Sequence, residues 1–154
     1  MNDGNQEPRL TLASVPDQAD RDFVRENLRA WNRMRCPFLA SEEAQVETPL
    51  DVTVRDAAGT IVGGLVANTH WGWLEVDLLW VDERVRGQGW GTRLLRAAED
   101  EARRRGCRHA RLSTWSFQAR PFYEKLGYRV FGQIDDYPPG ATDYILCKDL
   151  PAAE

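Results

Sequence analysis

The stretch VDERVRGQGWGTRLL, residues 81–95, decides the fold of this chain. It leaves the tail of an apolar run, crosses a short charged turn and enters the glycine-rich segment Gly87-Gln88-Gly89-Trp90-Gly91. An amphipathic pattern follows at once, with Trp90, Leu94, Ala97, Ala98 and Ala102 at helical spacing. A strand that feeds a glycine-rich turn opening a helix is a physical device for anions. Glycines let backbone N–H groups approach a phosphate closely, and the helix N-terminus adds positive potential.

Upstream of this stretch, three runs read as an antiparallel meander. Leu50 to Arg55 alternates and is β-branched, Asp56 to Gly59 is a hairpin turn, and Thr60 to Ala67 returns. Gly63-Gly64 inside the second run suggests a bulge or a close backbone approach. Gly72 to Val81 is the third member. Downstream, Arg103, Arg104 and Arg105 close the helix before Gly106 as a solvated basic end. The pairs Arg96/Asp100 and Glu99/Arg103 are four apart on its expected wet face. Ala110 to Trp115 reads as a strand, Gln118 to Leu126 as a short helix stopped by Gly127, and Tyr128 to Asp135 and Asp143 to Leu150 as two closing strands around Pro138-Pro139-Gly140.

At the other end, residues 1–8 read as a disordered tail and Arg9 to Val15 as a short first strand. Pro16-Asp17 opens a helix carrying Phe23, Val24, Leu28, Trp31 and Met34, which ends before Cys36-Pro37. A short helix capped by Ser41 is expected over Ser41 to Val46. The expected fold is α/β: one domain over 9–150 with a single mixed central sheet of six to seven strands, an antiparallel meander, and about four flanking helices.

The chain has 154 residues, enough for one well-cored domain. Its net charge of −4 disfavours a nucleic-acid partner. No apolar run approaches a membrane span, and the N-terminus lacks a signal-peptide pattern, so the expected location is cytoplasmic with no membrane partner. Cys36, Cys107 and Cys147 are odd in number and far apart, which fits reduced thiols and not a disulfide frame or a metal site.

Three phosphate devices compete for the glycine run. A P-loop needs Gly-Lys-Ser/Thr, but Thr92-Arg93 follows Gly91. A dinucleotide fingerprint needs another glycine spacing and an acid ending the next strand, which here ends in Thr114-Trp115. Arg86-Gly87-Gln88-Gly89-Trp90-Gly91 instead resembles the pyrophosphate loop of the Gcn5-related N-acetyltransferases, Arg/Gln-x-x-Gly-x-Gly/Ala. A second segment agrees: Ser116-Phe-Gln-Ala119-Arg-Pro-Phe122-Tyr123-Glu-Lys-Leu-Gly127-Tyr128 is similar to that family's Asn-x-x-Ala-x-x-x-Tyr-x-x-x-Gly-Phe, with Ser116 replacing the usual Asn. The resemblance covers nearly the whole chain. It implies acetyl-CoA as co-substrate. Arg86 to Thr92 would hold its pyrophosphate, and Leu79, Val81, Ser116, Ala119 and Phe122 would line its arm. A backbone N–H near Val81 would hold the thioester oxygen where two parallel strands splay.

Acetyl transfer to an amine needs a base, because an ammonium with a pKa near about 10 cannot attack a thioester. By strand alternation, Glu75 and Asp77 share a face with Trp71, Trp73, Leu79 and Val81. Two carboxylates in such surroundings are costly unless paired or lining a wet cleft, and one is pushed toward neutrality. By the resemblance Glu75 is the first candidate for the base and Asp77 the second. Pairing of either with Arg33 or Arg111 is the structural alternative. Tyr123 is the matching acid for the departing thiolate.

The resemblance also implies that the first helix, the loop after it and the final hairpin shape the acceptor pocket, with Trp31, Arg33, Trp73 and Tyr137 as candidate substrate contacts. A small-molecule amine is the expected acceptor. A protein N-terminus or lysine, and a non-catalytic acetyl-CoA sensor, are the alternatives. Exposed aromatics at Trp71, Trp73 and Trp115 would allow a homodimer.

Overall fold

The computed structural model describes residues 8–152. The expected tail at 1–7 lies outside them. The chain divides into two compact units, Met1–Ala44 and Gln45–Glu154. In the first, α1 spans Gln18–Arg35, and Asp17 caps it by accepting the N–H groups of Ala19 and Asp20 on Oδ1 at 2.7 and 3.2 Å. The expected first strand over Arg9 to Val15 is absent. Alternation is not sufficient for a strand: its backbone groups need a ladder partner, and no sheet strand pairs with this segment. The helix expected at Ser41 to Val46 is reduced to a 3₁₀ turn, Glu43–Gln45, entered by a hydrogen bond from the Ala44 N–H to Ser41 Oγ at 3.2 Å. No helix of the described residues is long and apolar enough to cross a membrane.

The second unit holds six strands: β1 (Thr48–Arg55), β2 (Ile61–His70), β3 (Trp73–Val81), β4 (His109–Trp115), β5 (Arg129–Asp135) and β6 (Thr142–Asp149). Their order is β1-β2-β3-β4-β6-β5, and only the β3–β4 pair is parallel. Two helices accompany them, α2 (Trp90–Arg104) and α3 (Arg120–Lys125). The apolar stripe of α2 (Leu94, Leu95, Ala98 and Ala102) packs on Leu50, Leu65, Ala67, Leu74, Val76, Ala110 and Leu112 to form one core. Gly63 serves close approach: a Cβ there would lie 3.4 Å from Leu94 Cδ1 and from the Trp80 carbonyl oxygen.

Two details of α2 depart from expectation. Glu99 is not on the wet face but buried, where its carboxylate accepts from Lys148 Nζ at 2.8 and 2.7 Å and from Tyr128 Oη at 3.1 Å. Burial and that carboxylate push the Tyr128 phenol strongly up. The partner on β6 and the aromatic after α3 are remote in sequence, so helical spacing could not reveal them. Nor is the basic end merely solvated. The Arg105 guanidinium donates to the Thr48 and Pro49 carbonyls at 3.3 and 3.0 Å and to Thr69 Oγ1 at 3.2 Å, stitching the end of α2 to β1 and β2. Arg105→Ala should therefore cost about 1–2 kcal/mol, read by urea denaturation, whereas Arg104→Ala, at an exposed site, should stay within about 0.5 kcal/mol.

Strand β3 breaks its own alternation. Val66 pairs with Leu78 and Ala67 with Val76, leaving Asp77 without a partner, as a β-bulge. Beyond it, Leu79 and Val81 pack against the core with Leu74 and Val76, while Leu78 and Trp80 are exposed. The face shared by Glu75, Asp77, Leu79 and Val81 that unbroken alternation predicts therefore does not exist. One extra residue turns every later side chain to the opposite side.

Candidate active site

The β3–β4 ladder covers only Trp73–Val76 against His109–Leu112, and the C-terminal parts of both strands part company. Into that gap fits a cavity of about 980 Å³, walled by β3 from Val76 to Val81, by β4 from Leu112 to Trp115, by Arg86 to Thr92 with the exception of Gln88, and by Phe117, Gln118, Ala119, Phe122 and Tyr123. The Asp82 N–H donates to the Val62 carbonyl, so by strand alternation the amides of Trp80 and Leu78 face β2. Those of Leu79 and Val81 then face the opened side.

The glycine turn forms one end of the cavity. Arg86 Nε donates to the Val81 carbonyl at 3.0 Å, pinning the turn to the strand. Gly87 and Gly89 have φ of +78° and +80°, a conformation that L side chains resist. The first helical bond of α2 runs from the Arg93 N–H to the Gly89 carbonyl, so the N–H groups of Trp90, Gly91 and Thr92 have no acceptor within the helix. Free N–H groups at a helix N-terminus are disposed to receive an anion. Gly91 faces α3, where a Cβ would stand 3.3 Å from Phe122 Cζ.

The sequence-derived candidates are distributed unevenly around this cavity. Leu79, Val81, Arg86, Gly87, Gly89, Trp90, Gly91, Thr92, Ala119, Phe122, Tyr123 and Asp77 line it. Gln88 and Ser116 are exposed and are not among the lining residues; Ser116 Oγ accepts the Thr142 N–H at 3.2 Å. Glu75 is also outside the lining and is bonded to Arg111 Nη2 at 2.6 Å, its register neighbour on β4. Trp73 stacks on His109 with centroids 4.7 Å apart, away from the cavity wall. Tyr137 is exposed in the β5–β6 turn. Trp31 and Arg33 lie on α1, in the other unit, where the Arg35 guanidinium covers the Trp31 ring at 5.3 Å.

Asp77 is singled out by its environment. Partial burial, then the nearby Glu75 and then Glu47 push its carboxyl above the usual range, against a 3.2 Å hydrogen bond from Asn68 Nδ2. Tyr123 is buried, and desolvation pushes its phenol up. Its ring meets Phe122 and Tyr128 edge to face, at 5.0 and 5.9 Å. Sequence reasoning missed Gln118. Its Oε1 accepts the Trp115 N–H at 3.0 Å and the Thr114 hydroxyl at 3.1 Å, holding β4 where it leaves β3. A glutamine three residues past a strand end was the available signal.

The family model for the acetyltransferase (GNAT) family matches residues 13–128. The chain belongs to the GNAT acetyltransferase family. It is 48% identical over 106 residues to the blasticidin-S acetyltransferase of Streptomyces morookaense, covering 66% of this chain and 78% of that protein. It is 37% identical over 133 residues to an acetyltransferase of Agrobacterium fabrum, covering 86% and 93%. A crystal structure of an acetyltransferase from Bacillus cereus is 30% identical and superposes with a TM-score of 0.78 over 91% of this chain and 98% of that one. This GNAT enzyme thus takes its acetyl group from acetyl-CoA. The cavity suits that co-substrate: a glycine-turned helix N-terminus for the pyrophosphate at one end and a parted strand pair for the acyl arm.

Proposed function

We propose that this acetyltransferase moves the acetyl group to a primary amine of a small molecule by direct attack, with Asp77 as base and Tyr123 as acid. Asp77 takes a proton from the ammonium, and the freed amine nitrogen bonds to the thioester carbonyl carbon. The C–S bond breaks as the leaving thiolate takes the Tyr123 phenolic proton. The remaining surplus N–H proton of the adduct returns to the Tyr123 phenolate through solvent, and Asp77 releases its proton to solvent. The N–H groups of Leu79 and Val81 face the opened side, where they can meet the carbonyl oxygen as its charge grows.

The observation that carries the assignment of the base is the bulge. It removes Asp77 from the ladder and leaves it on the cavity wall with a raised pKa, whereas Glu75 is held by Arg111. A small-molecule acceptor is supported by the similarity to a blasticidin-S acetyltransferase. The test is free-thiol release from acetyl-CoA across a panel of small amines and peptides. Turnover of small amines above peptides is expected. Turnover of peptides alone would reverse the acceptor class, and no turnover on either would leave a binding protein. Acetyl-CoA at 100 times its Kd should stabilise the fold by about 2.7 kcal/mol, seen as a raised melting temperature.

A further inference from the structure

On β6, Asp143 is nine-tenths buried, and its Oδ1 is the buried side-chain oxygen that has no hydrogen-bond partner among the described residues. The other acids of the β5–β6 hairpin are satisfied: Asp135 accepts from Gln133 and Thr142, and Asp136 accepts the Gly140 N–H at 2.7 Å. The burial of Asp143 is on the face opposite α2. Register sets Thr114 beside Tyr144 and Leu112 beside Leu146 on the α2 side, so Asp143 falls on the other side, between Trp115 of β4 and Ile134 of β5. Trp115 is itself a wall of the acetyl-CoA cavity, at the level where β4 has left β3.

A carboxylate oxygen withdrawn from water with nothing to bond is costly, and a cation would offset that cost. The neighbouring indole adds to the attraction, since a cation over a tryptophan face is favoured. We infer that Asp143 is the acceptor-specificity residue of this enzyme, binding a second cationic group, an ammonium or guanidinium, on a substrate whose primary amine is acetylated near Asp77. The inference rests on the small-amine reading above. Asp77 and Asp143 are two strand intervals apart across a strand pair that has opened, so the two cationic groups of the acceptor are separated by more than about 10 Å.

Calorimetric titration of the coenzyme A-bound protein tests this with 1,8-diaminooctane, whose extended chain spans that gap, against n-octylamine, which lacks the second charge. The wild type should bind the diamine at least about tenfold more tightly, and Asp143→Asn should reduce that preference to about twofold or less. Equal affinities in the wild type, or a preference surviving in D143N, would overturn the inference. Binding is read without turnover. A preserved preference with no thiol release would therefore count against the transfer reading alone. Asp143→Val, which matches its apolar cross-strand neighbours Trp115 and Ile134, should raise the melting temperature of the unliganded protein by removing a buried oxygen that has no hydrogen-bond partner. A lowered one would make Asp143 a structural residue and overturn its assignment to substrate.

Discussion

Asp77→Asn should lower kcat/KM for amine acetylation by at least about 10²-fold while leaving the acetyl-CoA-induced melting shift unchanged. Asn keeps the size of the side chain and its capacity to bond Asn68, and removes only the proton-accepting charge. The comparison that gives the result its meaning is Glu75→Gln. If Glu75 serves chiefly to hold Arg111, at 2.6 Å, its loss should cost less than about tenfold. The reverse ranking would move the base to Glu75.

The pH profile supplies a second reading. Asp77 is raised by burial first and by Glu75 next, so the acidic limb of kcat/KM should lie above the ordinary aspartate value of about 3.9, and it should vanish in D77N. The stability sign follows from the same shift. A carboxyl with a raised folded pKa binds its proton more tightly in the folded state, so its favourable contribution is present below that pKa and disappears as pH rises through it. D77N should therefore not lower the melting temperature at neutral pH, and a large drop would mean that Asp77 holds the bulge together.

How much of this was legible in the sequence can be judged from β3. Its existence, its place before the glycine turn and its two acids are all visible in Trp73 to Val81. The direction of its side chains is not. A bulge is decided by pairing with β2, and neither Val66 nor Ala67 marks it locally. The glycine turn was readable because positive φ and a free helix N-terminus demand particular residues at adjacent positions. The Glu99–Lys148 contact and the orphan oxygen of Asp143 were not, since both depend on strands brought together from distant parts of the chain. The strand expected at Arg9 to Val15 fails for the same reason in reverse: the local pattern was present and the partner was not.

Tyr123→Phe should lower kcat by about 10²-fold with little change in acetyl-CoA affinity. The phenyl ring can keep the edge-to-face contacts with Phe122 and Tyr128, so the wall of the cavity persists and only the hydroxyl is lost. That hydroxyl makes no hydrogen bond among the described residues and belongs to a residue on the cavity wall. Its removal leaves no donor or acceptor stranded, and the melting temperature should hold. Burial raises the phenol above its usual pKa of about 10, so it stays protonated through the working range and the wild-type rate should show no alkaline limb from this group. The role of the proton is separable from positioning by changing the leaving group. A coenzyme A thiolate, with a parent pKa near about 8.5, benefits from protonation as it departs. An acetyl thioester of 4-nitrothiophenol releases a far more stable thiolate and needs no such help. The ratio of wild-type to Y123F rates should therefore shrink toward one with the aryl thioester. A deficit that stays at about 10²-fold with both donors would mean that the hydroxyl orients the substrate and does not supply the proton.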